Sequence, residues 1–165
     1  MAEMELIGVQ LEMPSNSPML MLREAGGQGR VLPVIIDVPE AQAIGRGIEG
    51  IRMARPMTHD LMIDILGELG AELKRVTVTE LKDRTFYAEL LVEIGAEERT
   101  ISSRPSDAIA LAVRSDVPIF AADAVLDEAG QYLEGEPVED LDDPEELLDD
   151  FKAFLDDINP EDFDG

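Results

Sequence analysis

Arginine followed by proline occurs twice in this chain, in Arg55-Pro56-Met57-Thr58-His59-Asp60 and in Arg104-Pro105-Ser106-Asp107, each time ahead of an apolar helical pattern. Proline suits the first helical position because its missing N–H would be unpaired there, and a nearby acid suits the positive helix end. A guanidinium just outside such an end stands beside free backbone N–H groups, the arrangement with which proteins hold phosphate or carboxylate. Arg55 and Arg104 are therefore the expected anion-binding residues, with Thr58 and Ser106 adding hydroxyls. His59, the only histidine, is the expected proton carrier, since an imidazole can work as acid or base near neutral pH. Asp60 and Asp107 are the expected catalytic carboxylates beside it. Each of these residues also has a purely structural reading: Thr58 as a helix cap, Asp60 as a partner of the helix dipole, His59 as a surface or capping residue, Ser106 and Asp107 satisfying unpaired N–H groups, and Arg104 paired with a carboxylate. The sequence leaves both readings open.

Glu40, Asp60 and Asp107 each stand near an expected helix start and form a candidate set for Mg²⁺ or Mn²⁺, hard cations that take oxygen ligands and keep several waters. Spacing alone does not bring the three together. The absence of cysteine removes thiolate metal sites, thiol nucleophiles and disulfides. No P-loop, Gly-rich dinucleotide turn, metalloprotease helix or nucleophile elbow is present, which removes several large enzyme classes.

The elements that must position these residues are legible from periodicity. Residues 5 to 13 alternate, with Ile7, Val9, Leu11 and Met13 on one face, and strands are expected at residues 18 to 24 and 31 to 36 across a Gly-rich turn. A helix opens at Pro39-Glu40 and runs to about Ile51, its glycines (Gly45, Gly47, Gly50) weakening it but permitting close packing. The next helix starts at Thr58 and stops at Gly70, with Leu61, Ile65 and Leu69, and Met62 and Leu66 beside them, forming a stripe expected to lie on a sheet. Strands follow at residues 72 to 79, 85 to 94 and 99 to 102, then a short apolar helix from Pro105 to Arg114 and a last strand at residues 118 to 121. Strands and helices come in clusters rather than in βαβ alternation. This predicts an α+β fold, a mixed or antiparallel β-sheet core with packed helices, whose two halves are consistent with an internal duplication.

Charge divides the chain. Residues 1 to 126 carry 20 acids and 12 Lys/Arg, whereas residues 127 to 165 carry 17 acids and only Lys152. The reading is one domain over residues 4 to 127 and an acidic C-terminal extension over residues 128 to 165. That extension contains an amphipathic helical pattern from Pro144 to Ile158, with Leu147, Leu148, Phe151, Phe154 and Leu155 on one side. Its carboxylates are candidates to occupy a basic corner as a phosphate mimic. An acidic body repels phosphate polymers at long range, so any nucleic-acid contact must come from a local basic patch or through bound cations. The acidic N-terminal residues do not resemble a secretory signal, and no apolar run approaches the roughly 20 residues that span a bilayer. The expectation is a soluble cytoplasmic protein with no membrane contact.

Taken together, Leu32-Pro33-Val34-Ile35-Ile36, Glu40-Ala41-Gln42-Ala43-Ile44, the run from Arg55 to Leu61, Thr85-Phe86-Tyr87-Ala88 and the run from Arg104 to Ala112 resemble the bifunctional nuclease domain family over about residues 4 to 127. The end of the chain, Phe151 to Leu155 and Asn159 to Phe163, is similar to the tails of bacterial members. The resemblance implies a compact α+β domain, a homodimer, and nuclease activity on both RNA and DNA, as attributed to plant members. Two departures stand out: Ile36-Asp37 where members commonly read Ile-Gly, and Ser102-Ser103 ahead of Arg104-Pro105 where many read Asp-Ala. Cleavage of DNA excludes a 2′-hydroxyl nucleophile, so water must attack, activated by His59 or by a cation on Asp60, Asp107 or Glu40, with Arg55 and Arg104 stabilising the charged intermediate. The rival reading is a non-catalytic anion-binding or protein-interaction module of the same fold.

Overall fold

A computed structural model describes residues 1–132. The expected helix at residues 144 to 158 and the acidic C-terminal extension that carries it lie outside the described residues. Seven strands form one sheet in the order β3-β2-β1-β7-β4-β5-β6. Strands β1 (Ala2–Glu12), β2 (Ser17–Glu24) and β3 (Val31–Ile35) make one antiparallel meander. A second comprises β4 (Ala71–Lys82), β5 (Thr85–Ile94) and β6 (Glu97–Ser103). Between them lies β7 (Ile119–Ala121), antiparallel to β1 and parallel to β4. The sheet is therefore mixed, and with helices α1 (Val38–Ile48), α2 (Thr58–Glu68), α3 (Pro105–Ser115) and α4 (Asp123–Ala129) the fold is α+β, as the clustered elements predict.

Each meander feeds a proline-led helix with an acid in its first turn, α1 with Pro39 and Glu40 and α3 with Pro105 and Asp107. The structural counterpart of the Arg104-Pro105 corner is thus Val38-Pro39-Glu40, not Arg55-Pro56. Pro56 precedes the extended residue Met57, which caps α2, so neither Pro56 nor Arg55 belongs to the helix. Helix α1 lies against β1 and β2, while α3 lies against β4 and β5 and touches both α1 and α2. Because α4 contacts both β3 and β4, which stand four places apart in the sheet, the sheet must be rolled. Arg30 ties the β2–β3 connection to α4 through Glu24 and Asp127.

Two details of the sequence pattern are corrected. The alternation of β1 breaks at an irregularity in register between Leu6 and Gly8, so Met4 and Leu6 face the core before it and Val9 after it. On α2, Leu61, Ile65 and Leu69 are exposed, whereas Ile63 and Leu66 pack on the core and Asp60 is the helix's one buried residue. The ion pair described below fixes the rotation of α2, overriding its apolar stripe.

Gly47 permits α1 to approach α3: a Cβ there would stand 2.5 Å from Val113 Cγ2 and 2.7 Å from Arg114 Nη1. Gly67, on the exposed part of α2, has nothing within 4 Å. Alanine raises helix propensity by about 0.8–1 kcal/mol at either position, but at Gly47 it also forces overpacking worth about 1–3 kcal/mol. Urea denaturation should therefore place the midpoint of Gly67→Ala above wild type and that of Gly47→Ala below it; equal shifts would show that α1 and α3 do not depend on this contact.

Candidate functional site

The proline-led start of α3 leaves Arg104 extended ahead of the helix, and its side chain turns back over the first turn. Arg104 Nε donates to Asp107 Oδ2 at 2.7 Å and Nη2 donates to Oδ1 at 3.0 Å, a two-pronged contact, while Nη1 donates to Glu40 Oε1 at 2.8 Å. His59 Nε2 lies 3.0 Å from the same Asp107 Oδ1. One guanidinium thus links the first turns of α1 and α3, and one carboxylate links α3 to α2. Arg104 is 62% exposed, so these pairs contribute position more than stability. Glu40 Oε2 is buried with no partner, leaving Glu40 held through one oxygen.

Burial works against the charge of Asp107, but hydrogen bonds from Arg104 and His59 outweigh it and hold the carboxyl below its ordinary range. In the neutral tautomer protonated at Nε2, the ring donates that N–H to an ionised Asp107 and keeps its lone pair on Nδ1. Arg104 is held still more firmly in its charged form, first by Asp107 and then by Glu40.

Asp60 does not join this group. Its Oδ1 accepts from Arg114 Nε at 2.7 Å and its Oδ2 from the backbone N–H of Met57 at 3.1 Å, so it caps α2 and fastens that helix to α3. Arg114 also donates to the carbonyl of Ala110 at 2.7 Å. The expected trio of Glu40, Asp60 and Asp107 is therefore not assembled for a divalent ion. Glu40 and Asp107 face a guanidinium, Asp60 faces another, and among the described residues no three His, Asp or Glu side chains gather around a common point.

A cavity of about 350 Å³ opens over the pair of His59 and Asp107, lined also by Glu40, Gln42, Arg46, Thr58, Arg104 and Arg114. The structure thus brings His59, Thr58, Asp107, Arg104 and Glu40 to one place. Arg55, expected there, is exposed on the connection before α2 and lines no part of this cavity. Ser106, 6% exposed, faces a neighbouring cavity of about 240 Å³ instead. Arg46 in the last turn of α1 was not singled out by the sequence; its guanidinium has no ion-pair partner among the described residues. The signal was the flanking Gly45 and Gly47, which bring α1 close enough to α3 for Arg46 to reach the cavity.

A rolled mixed sheet whose crossing helices deliver their first turns, with an imidazole and several guanidiniums, to one open cavity defines an α+β domain with a polar site built at helix N-termini. This chain belongs to the bifunctional nuclease domain family, whose model matches residues 20–134. An uncharacterised protein of Mycobacterium tuberculosis is 41% identical over 165 residues, covering 99% of this chain and 98% of the relative. Bifunctional nuclease 2 of Arabidopsis thaliana is 31% identical over 112 residues, 65% of this chain and 34% of the plant protein. Bifunctional nuclease 2 of Oryza sativa subsp. japonica is 32% identical over 105 residues, 62% and 32% respectively. The matched region spans about a third of the plant relatives.

The ion pair of Asp60 and Arg114 is buried, with side chains 10% and 8% exposed. The hydrogen bond from Arg114 is the main cause holding Asp60 below its ordinary range, ahead of the opposing effect of burial. A carboxyl whose folded pKa is depressed stabilises the fold above its unfolded value, near 4, and loses that contribution as pH falls through the folded value. Asp60→Asn leaves Arg114 buried and unpaired, so urea denaturation should show a loss of about 3–5 kcal/mol at neutral pH. That gap should narrow toward wild type below about pH 4; a gap independent of pH would remove the ion pair as its cause.

Proposed function

We propose that this cavity hydrolyses phosphodiester bonds of RNA and DNA in the cytoplasm. The reading rests on one observation above the others: His59 is held through Nε2 by Asp107 inside an open cavity that also presents a guanidinium with no ion-pair partner among the described residues, Arg46. Membership of the bifunctional nuclease domain family and the likeness to plant proteins named bifunctional nucleases support it.

In this mechanism His59 Nδ1 takes a proton from water as the water oxygen bonds to phosphorus. Asp107 stabilises the imidazolium that results, and Arg104 keeps Asp107 ionised and in register. The bond to the leaving sugar oxygen then breaks, and that oxygen is protonated from the imidazolium or from solvent. Arg46 and the Thr58 hydroxyl meet the charge on the non-bridging oxygens. Arg104 acts by positioning, since its donors are already committed to Glu40 and Asp107. No step is assigned to a metal ion.

His59→Ala should lower kcat on single-stranded DNA and RNA by about 10²–10⁴-fold, with the circular dichroism spectrum and urea midpoint kept near wild type. Highly purified wild-type protein that turns over neither substrate, with or without EDTA, would sink the nuclease reading in favour of a non-catalytic anion-binding or interaction module.

A homodimer formed through α2 belongs to the same proposal. Met53, Met57, Leu61, Met62, Ile65 and Leu69 are all exposed along this helix and the connection before it, a concentration of apolar side chains that supports an association site. The double variant Leu61→Asp, Ile65→Asp should elute as a monomer where wild type elutes as a dimer in size-exclusion chromatography with light scattering. A wild-type monomer across micromolar concentrations would overturn the assignment.

A further inference from the structure

The cavity of about 240 Å³ beside the His59 site shares Glu40 and Arg104 with it as a common wall. Its other walls come from parts of the chain far apart in sequence: Val34, Ile35, Ile36 and Asp37 at the end of β3, Arg84, Thr85 and Phe86 at the β4–β5 turn, and Pro105 and Ser106 at the start of α3. Three features of the lining suit a ligand. Ser106 is only 6% exposed, and its hydroxyl, which makes no hydrogen bond among the described residues, opens on the cavity and is not sealed in the core. Arg84 carries a charge with no ion-pair partner among the described residues. Phe86 is a half-buried aromatic ring beside the apolar Ile36 and Pro105.

Arg84 is held there by backbone geometry. Asp83 and Arg84, both at positive φ (49° and 62°), form the two-residue turn that closes the β4–β5 hairpin between the paired residues Lys82 and Thr85. A residue at positive φ carries a backbone cost, and glycine or asparagine would meet it more easily. The turn carries the Arg84 side chain to the wall of the cavity.

We propose that this second cavity is the subsite for the nucleotide adjoining the scissile bond, its base lying against Phe86 and Pro105 and its phosphate taken by Arg84 and Ser106. The proposal rests on the nuclease reading for the identity of the neighbouring site and extends it to a substrate of at least two nucleotides bridging the Glu40 and Arg104 wall. An aromatic face binds any base, so the subsite is tolerant of sequence and of RNA or DNA.

The test uses the full chain and a fluorescently labelled eight-nucleotide single-stranded DNA with phosphorothioate linkages, its anisotropy titrated at several NaCl concentrations. Arg84→Asn keeps a residue suited to positive φ, Phe86→Leu keeps an apolar side chain against the core, and Ser106→Ala removes only the hydroxyl. Phe86→Leu and Arg84→Asn should each weaken binding about tenfold, and Ser106→Ala about threefold. Arg84→Asn alone should lower the slope of log K against log salt by about 0.7, the loss of one phosphate contact on a single strand. With cleavable DNA the same variants should raise KM while kcat changes far less than in His59→Ala. Unchanged affinity and slope in Arg84→Asn and Phe86→Leu, or no binding by wild type, overturn the subsite. Binding that follows this pattern in a wild-type protein that cleaves nothing keeps the subsite and overturns the nuclease reading instead.

Discussion

Three helix N-termini bearing acids converge on one spot, and the Arg104 guanidinium makes that convergence tolerable. Glu40 opens α1, Asp107 opens α3, and both are bonded to Arg104; Asp107 then accepts from His59 in the first turn of α2. Without a cation between them, the two carboxylates would repel each other. With it, Asp107 is charged and aimed at the imidazole. The site is thus an electrostatic consequence of how two similar meanders place their crossing helices side by side.

That arrangement needs α1, α2 and α3 at fixed spacings, and two non-catalytic features set them. Gly47 sets the approach of α1 to α3, because any side chain there meets Val113 and Arg114. The buried pair of Asp60 and Arg114 sets the rotation of α2, and its energetics explain why it dominates. Sinking Ile65 and Leu61 would gain apolar burial of about 1.5–3 kcal/mol per side chain, but the same rotation would lift Ile63 and Leu66 off the core, so the apolar gain and loss roughly cancel. Turning Asp60 outward to achieve this would leave Arg114 charged and unpaired beside the core, at a cost of about 3–5 kcal/mol. Leu61 and Ile65 stay at the surface as a result.

The strands were legible because alternation of apolar residues is a local signal, and the β5 boundaries at Thr85 and Ile94 fell where the pattern placed them. The irregularity near Gly8 was not legible, since a register shift is visible only against the partner strand. Helix α4 escaped because seven residues are too few for periodicity to separate from noise. At the site, His59, Thr58, Asp107, Arg104 and Glu40 were all named from residue type and position, and of the two readings of Arg104 the structure keeps the one that pairs it with a carboxylate. Partners 64 residues away, such as Glu40, carry no local trace. Arg55 was overvalued for the same reason in reverse: a repeated dipeptide resembles a repeated structure, but Pro56 falls ahead of the helix whereas Pro105 falls inside it.

An acidic chain that is to hold a polyanion must concentrate its few cations. Of the 12 Lys/Arg residues up to position 126, Arg46, Arg84, Arg104 and Arg114 line the two adjoining cavities. Two of the four are neutralised in place by carboxylates, which leaves Arg46 and Arg84 to act on a ligand from opposite sides of the Glu40 and Arg104 wall. The surrounding negative surface opposes approach of a nucleic acid at long range, and the opposition weakens as salt shortens the screening distance. Local contacts to phosphate weaken with salt as well, so the two effects partly cancel. On the nuclease reading proposed above, a site of this design would respond to ionic strength less steeply than one embedded in a basic surface, and would favour short, flexible single strands that can enter a cavity over stiff duplexes that must lie across the whole acidic face.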